Sequence, residues 1–199
     1  MRLPARIVLA TGNAGKVAEI RALMAEFDVE VVPQTAFGIE PADETGTTFV
    51  ENALKKARHA LAATGIASLA DDSGLAVDAL GGRPGVRSAR YAGPDADDEA
   101  NIARLLAELD DVDERDAAFH CAICLVLPDA AEPVIATGEW RGTILRERRG
   151  SGGFGYDPVF YDPALGKSAA ELEPEEKNAV SHRARALARL AASLRSPGP

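Results

Sequence analysis

Four short segments of this 199-residue chain combine residue types that suit chemistry on a phosphorylated ligand. The first is Thr11-Gly12-Asn13-Ala14-Gly15-Lys16. Its two glycines let backbone N–H groups approach a ligand, and a helix starting there adds positive potential. Lys16 supplies a full charge at the first turn. The segment is not a Walker A loop, because the G-x-x-x-x-G-K-[ST] spacing fails and Val17 replaces the magnesium-holding hydroxyl. Its plain alternative is a strand-to-helix turn. The second is Glu44-Thr45-Gly46 taken with Asp71-Asp72-Ser73. Hard Mg²⁺ prefers carboxylate oxygens completed by waters and substrate phosphates. Two acids at a strand end, with Ser73 and Gly74 turning the chain, would present carboxylates to a crevice. The alternative is a solvated acidic turn.

The third segment is the glycine-rich run Gly150-Ser151-Gly152-Gly153-Phe154-Gly155-Tyr156-Asp157-Pro158. Such a run is costly to order, which favours a functional loop, and Phe154 or Tyr156 can stack on a nucleobase. The alternative is a tight connection with Phe154 plugging the core. The fourth is Lys177-Asn178-Ala179-Val180-Ser181-His182-Arg183. Here Ser181 is placed to cap a helix whose first turn holds His182 and Arg183. Cations there oppose the helix dipole by about 0.3–1 kcal/mol each, so an anionic or hydrogen-bond-accepting group is expected nearby. Otherwise they are two exposed solubilising residues.

Composition narrows the classes of function. Lys and Arg number 22 against 31 Asp and Glu, a net charge of −9. A nucleic-acid binder normally carries surplus cations, so no nucleic-acid partner is expected and an anionic ligand must meet local lysines or a metal ion. Hydrophobic residues at 46% and charged residues at 27% describe a chain able to build a core without disulfide staples. No run approaches the roughly 20 apolar residues of a membrane helix, and no signal-peptide run precedes Thr11, so the expected location is cytoplasmic with no membrane partner. Cys121 and Cys124 form a C-x-x-C spacing inside an apolar run that reads as a strand. Positions i and i+3 of a strand face opposite ways, so the two thiols are expected to diverge as core residues.

Several elements must position these segments. Arg6–Ala10 reads as a buried strand, followed by a helix with Ile20, Leu23, Met24 and Phe27 on one face, then a strand at Val29–Val32. Thr48 and Glu51 form a capping box for a helix with apolar face Val50, Leu54, Ala57 and Leu61. Ile66–Ala70 and Leu75–Val77 read as two strands flanking the acidic pair. A loop rich in Gly and Arg spans Gly81–Gly93, and a third helix carries Ile102, Leu105, Leu106 and Leu109. Long strands around Ala117–Leu127 and Pro133–Ile144 look like a hairpin. A final helix presents Leu187, Leu190 and Leu194. The sum is one α/β domain over residues 1–195, a mixed and elongated sheet flanked by helices, with a loose tail at 196–199. Two lobes around a central nucleotide cleft are compatible with that pattern.

Thr11–Lys16, Glu44–Phe49 with Glu51-Asn52-Ala53, Leu69–Leu75, Ser88–Gly93, Gly153–Pro158 and Lys177–Arg183 together resemble the inosine triphosphate pyrophosphatase family. The resemblance runs in order from about residue 6 to 195, and Ser168 stands where a threonine is expected. It implies Mg²⁺-dependent hydrolysis of ITP, dITP and XTP to the nucleoside monophosphate and pyrophosphate, by a homodimer acting on small-molecule substrates. By that resemblance Asp72 accepts a proton from water, and Glu44 and Asp72 hold Mg²⁺. Thr11, Gly12, Asn13 and Lys16 take the triphosphate with Lys177 as an additional cation, and Ala14, Gly15 and Ser73 also bind substrate. Phe154, Gly155, Tyr156, Asp157, His182 and Arg183 meet the base. Asp71 is a possible further ligand that spacing does not decide. Two rival classes remain at this point. One is a non-hydrolysing purine nucleotide sensor, which needs no aligned carboxylates. The other is a structural partner protein whose Arg83, Arg87 and Arg90 loop docks a subunit.

Overall fold

The computed structural model describes residues 4–25 and 27–195, so the tail expected at 196–199 lies outside the described residues. The elements are Arg6–Leu9 (β1), Ala14–Met24 (α1), Glu30–Pro33 (β2), Phe49–Thr64 (α2), Ser68–Val77 (β3) and Asp98–Glu108 (α3). Asp116–Val126 (β4), Val134–Ile144 (β5), Phe160–Asp162 (β6), Lys167–Ser168 (β7), Pro174–Val180 (α4) and His182–Arg195 (α5) follow. The strands form one seven-stranded sheet in the order β2-β1-β3-β4-β5-β6-β7. β1 runs parallel to β2 and β3, whereas β6 is antiparallel to β5 and β7, so the sheet is mixed as expected. No helix among the described residues is long and apolar enough to cross a membrane.

By its internal contacts the chain divides into two compact units, Met1–Asp72 with Cys121–Gly138 and His182–Pro199, and Ser73–His120 with Glu139–Ser181. In the first unit, side-chain alternation along the strands builds two cores. Ile7, Leu9, Leu69, Cys121, Ile123 and Leu125 pack against Ile20 and Met24 of α1 and Ala186, Leu187, Leu190 and Leu194 of α5. Their strand neighbours Val8, Ala10, Ala70, Ala122, Cys124 and Val126 pack against Ala53, Ala57 and Ala60 of α2. Cys121 and Cys124 therefore lie in different cores, as the two-residue period of a strand requires. The capping box of α2 is present, with Glu51 N donating to Thr48 Oγ1 at 3.1 Å and Thr48 N to Glu51 Oε2 at 3.2 Å. The apolar face of this helix differs from the expected one. Ala53, Ala57 and Ala60 are fully buried, while Val50, Leu54 and Leu61 flank them half-buried, because small side chains bring α2 close to the sheet.

The acidic pair departs from expectation. Residues 68–77 form one continuous strand, so Asp71-Asp72-Ser73-Gly74 is not a turn between two strands. The polar run stays extended because each carboxylate has buried partners on its own side. Asp71 points with Leu69 toward α1 and α5, and Asp72 points with Ala70 toward α2.

The second unit has its own core, formed by Leu75, Val77, Ile102, Leu105, Leu109, Phe119, Trp140, Tyr156 and Phe160 among others. Phe160 lies 4.5 Å from the Phe119 ring and 4.9 Å from that of Trp140, whose Nε1 donates to Asp162 at 2.7 Å. The short strands β6 and β7 and the helix α4 have no counterpart in the sequence reading.

Candidate active site

In the first unit β1 delivers the chain to the Thr11–Lys16 segment at the start of α1. Asn13 caps that helix by accepting from Lys16 N at 3.0 Å, and its own N–H donates to Thr11 Oγ1 at 3.2 Å. Ala14 and Gly15 open the helix, where backbone N–H groups have no intrahelical acceptor. A Cβ at Gly12 would meet nothing within 4 Å, so packing within the protein does not require that glycine. Open space over helix-start amides is what an approaching phosphate needs.

Lys16 Nζ sits 3.1 Å from Asp71 Oδ2, and Asp71 is fully buried. The same oxygen accepts from Arg183 Nε at 3.3 Å and Nη2 at 3.1 Å, while Arg183 Nη1 donates to Glu19. Burial alone would raise the Asp71 pKa, but Lys16, Arg183 and Lys56 overcome that and hold it well below the usual carboxylate range. Asp71 thus joins the Thr11–Lys16 segment to the first turn of α5. It faces away from α2, with Oδ2 held by Lys16 and Arg183.

Asp72 is 5% exposed. Its Oδ2 accepts from Asn52 Nδ2 at 3.2 Å and its Oδ1 from Lys56 Nζ at 3.0 Å. Lys56 Nζ also donates to Glu44 Oε1 at 2.7 Å, so the two acids singled out as metal ligands meet on one ammonium. Asn52, fully buried, accepts from Gly46 N at 2.8 Å and so ties the Glu44 loop to β3. Burial, followed by the nearby Glu44 charge, raises the Asp72 pKa despite the attraction of Lys56 and Lys16.

Lys56 and Glu19 were missed by sequence reasoning, and Asn52, quoted within the family motif, was given no role. The available signal was Asn52 and Lys56 one turn apart on α2, polar residues beside the apolar face of a capped helix.

Glu44 and Asp72 supply hard oxygen donors that converge on a cationic point. They fit a divalent ion whose remaining positions are taken by waters and phosphate oxygens. Among the described residues no group of three or more His, Cys, Asp or Glu forms an all-protein metal cage.

The second unit holds the glycine-rich segment. Asp157 Oδ2 accepts from Phe154 N at 2.9 Å and from Lys177 Nζ at 2.6 Å, and that ammonium lies 4.8 Å from the Phe154 ring centre. Gly155 N donates to Asp98 at 2.7 Å. A Cβ on Gly153, which has φ +74°, would run into the Asp157 carboxylate. Tyr156, not Phe154, plugs the core, with its hydroxyl donating to Ser88 O at 2.9 Å. Lys177 is buried against Asp157 rather than extended. Ser73 follows Asp72 along β3 and is half-buried. His182 opens α5 in the first unit, buried, with Gly138 packed so tightly on its carbonyl that a Cβ there would clash.

A phosphate-suited helix start, converging carboxylates and a braced arginine on an α/β sheet define a nucleotide-processing class of site. The chain belongs to the Ham1 family, whose profile matches residues 7–193. It is 53% identical over 194 residues to the dITP/XTP pyrophosphatase of Shigella flexneri, covering 96% of this chain and 98% of that protein. Identity to the dITP/XTP pyrophosphatase of Yersinia pseudotuberculosis is 55% over 193 residues, with the same coverage of 96% and 98%. Among solved structures, the HAM1 protein from Coxiella burnetii superposes with a TM-score of 0.87 at 48% identity, covering 96% of this chain and 98% of that one. The Ham1 protein of Staphylococcus aureus gives a TM-score of 0.85 at 42% identity, with 95% and 97% covered.

Proposed function

We propose that this chain hydrolyses the deaminated purine nucleotides dITP, ITP and XTP to the nucleoside monophosphate and pyrophosphate, with Mg²⁺ as cofactor. The relatives named dITP/XTP pyrophosphatase match over nearly the whole chain. The observation that carries the reading is the convergence of Glu44 and Asp72, close to Lys16 on the opposite side of the same strand. A nucleotide sensor needs cations for phosphate but not paired carboxylates, so hydrolysis is the better account.

In this reading the segment Thr11–Lys16 orients the triphosphate through backbone N–H groups and the Lys16 ammonium. Glu44 and Asp72 hold Mg²⁺, which would neutralise charge on the leaving pyrophosphate and acidify water. Asp72 takes the proton of the attacking water. His182 donates to the 6-keto oxygen. Adenine offers a donor there instead, and an unpaired buried donor costs about 1–3 kcal/mol, which disfavours ATP. Arg183, with its guanidinium on Asp71 and Glu19, acts by bracing Lys16 and the start of α5. The protein works as a cytoplasmic homodimer.

The test is Asp72→Asn. Turnover of dITP should fall by at least a thousandfold, on the scale of a lost base plus a lost ligand, while nucleotide affinity stays within a few-fold. Full activity in that variant would remove Asp72 from the chemistry.

A further inference from the structure

Lys56 has no part in the roles above, yet it occupies the point where the carboxylates meet. It rises from the second turn of α2, and its ammonium is 2.7 Å from Glu44 Oε1 and 3.0 Å from Asp72 Oδ1. Its side chain is 11% exposed and that of Asp72 8%, so the contact is shielded from solvent. The other oxygen of Asp72 is fixed by Asn52, whose amide orientation is set by Gly46 N–H on its far side. Oδ1 is therefore the oxygen presented to a cation, and Lys56 is the cation presented. Asp71 lies near enough to act on Lys56 electrostatically, but its carboxylate is bonded to Lys16 and Arg183 on the other face of β3.

We infer that Lys56 is a built-in counter-ion: in the metal-free protein its ammonium keeps Glu44 and Asp72 converged, and a divalent ion enters by displacing it. The inference rests on the assignment of Glu44 and Asp72 as metal ligands. Its physical basis is that two carboxylates held close together, one of them buried, repel unless a cation sits between them. A preassembled ligand pair avoids the cost of ordering the Glu44 loop when the ion arrives. In exchange, the ion must break two short ion pairs, so Lys56 weakens metal binding to the free protein while keeping the ligands in place.

The test uses Mn²⁺ alone, titrated into the nucleotide-free full-length protein and followed by the loss of its free electron paramagnetic resonance signal. Lys56→Met should bind Mn²⁺ at least tenfold more tightly than the unaltered protein. Lys55→Met removes the same charge from the neighbouring position, where Lys55 bonds Thr45 Oγ1, and should change affinity less than threefold. With the metal chelated, Lys56→Met should melt below the unaltered protein and regain that loss on adding Mn²⁺. Lys56→Gln serves if the methionine variant does not fold. Equal or weaker binding in the Lys56 variants, or equal tightening in Lys55→Met, would overturn the inference. A Glu44→Gln variant separates the two layers. If it leaves Mn²⁺ affinity unchanged, the ligand assignment itself fails and the inference with it. If it weakens binding but Lys56→Met does not tighten it, only the counter-ion role fails.

Discussion

Replacing Arg183 with methionine separates two readings of that residue. The family resemblance places it at the base, whereas its guanidinium is 1% exposed by side chain and bonded to Asp71 and Glu19. Removing one partner of a buried ion pair costs about 3–5 kcal/mol, because the partner charge stays buried. Asp71 would keep Lys16 at 3.1 Å, which places the expected loss near the lower end, roughly 3 kcal/mol. For a chain of this length each kcal/mol lowers the melting temperature by about 2–4 °C, so a fall of about 6–12 °C is expected. Melting is followed by circular dichroism without nucleotide, and kcat/KM for ITP and ATP is measured well below the transition. Both rates should fall together as the Asp71 carboxylate that holds Lys16 loses its second partner, leaving the ITP-to-ATP ratio within about threefold of its original value. An unchanged melting temperature with collapse of that ratio would refute the bracing role and return Arg183 to the base.

Three further outcomes are expected. Gly46→Ala puts a Cβ 2.7 Å from Asn52 Oδ1 and 2.8 Å from Glu51 Cβ, so the Glu44 loop must move off Asn52. Turnover of dITP should drop at least tenfold, and near-normal kinetics would show that this contact does not matter. Burial raises the Cys124 thiol to about 11 and the Cys121 thiol to about 12. At pH 8 their thiolate fractions are then on the order of 10⁻³ and 10⁻⁴, against about a quarter for an ordinary thiol. A disulfide-exchange reagent should therefore label neither in the native protein and both in guanidinium; rapid native labelling would contradict the core assignment. Thr48→Ala removes the cap of α2 and should cost about 1 kcal/mol, read as a 2–4 °C fall in melting temperature. No shift would mean the box adds nothing.

Local rules made much of this molecule legible. The capping box of α2, a helix start within the Thr11–Lys16 segment and the divergence of Cys121 from Cys124 all follow from spacing within a few residues. The strand that carries the acids was not legible. Asp-Asp-Ser-Gly is written in turn residues, and its extension through 68–77 depends on Arg183, 112 positions away from Asp71. No periodicity reports a partner at that separation. The same limit hid Lys56, whose partners Glu44 and Asp72 lie 12 and 16 positions away on different elements. β6 and β7 are three and two residues long, too short for an alternation to register. Phe154 and Tyr156 look alike in sequence, and only burial assigns the tyrosine to the core and leaves the phenylalanine beside Lys177.

Incubating the purified protein with dITP and Mg²⁺ and resolving the phosphorus-containing products tests the central claim most directly. The account predicts dIMP and pyrophosphate in equal amounts, with no orthophosphate formed at early times. Release of orthophosphate with dIDP, or dITP recovered intact, would contradict it.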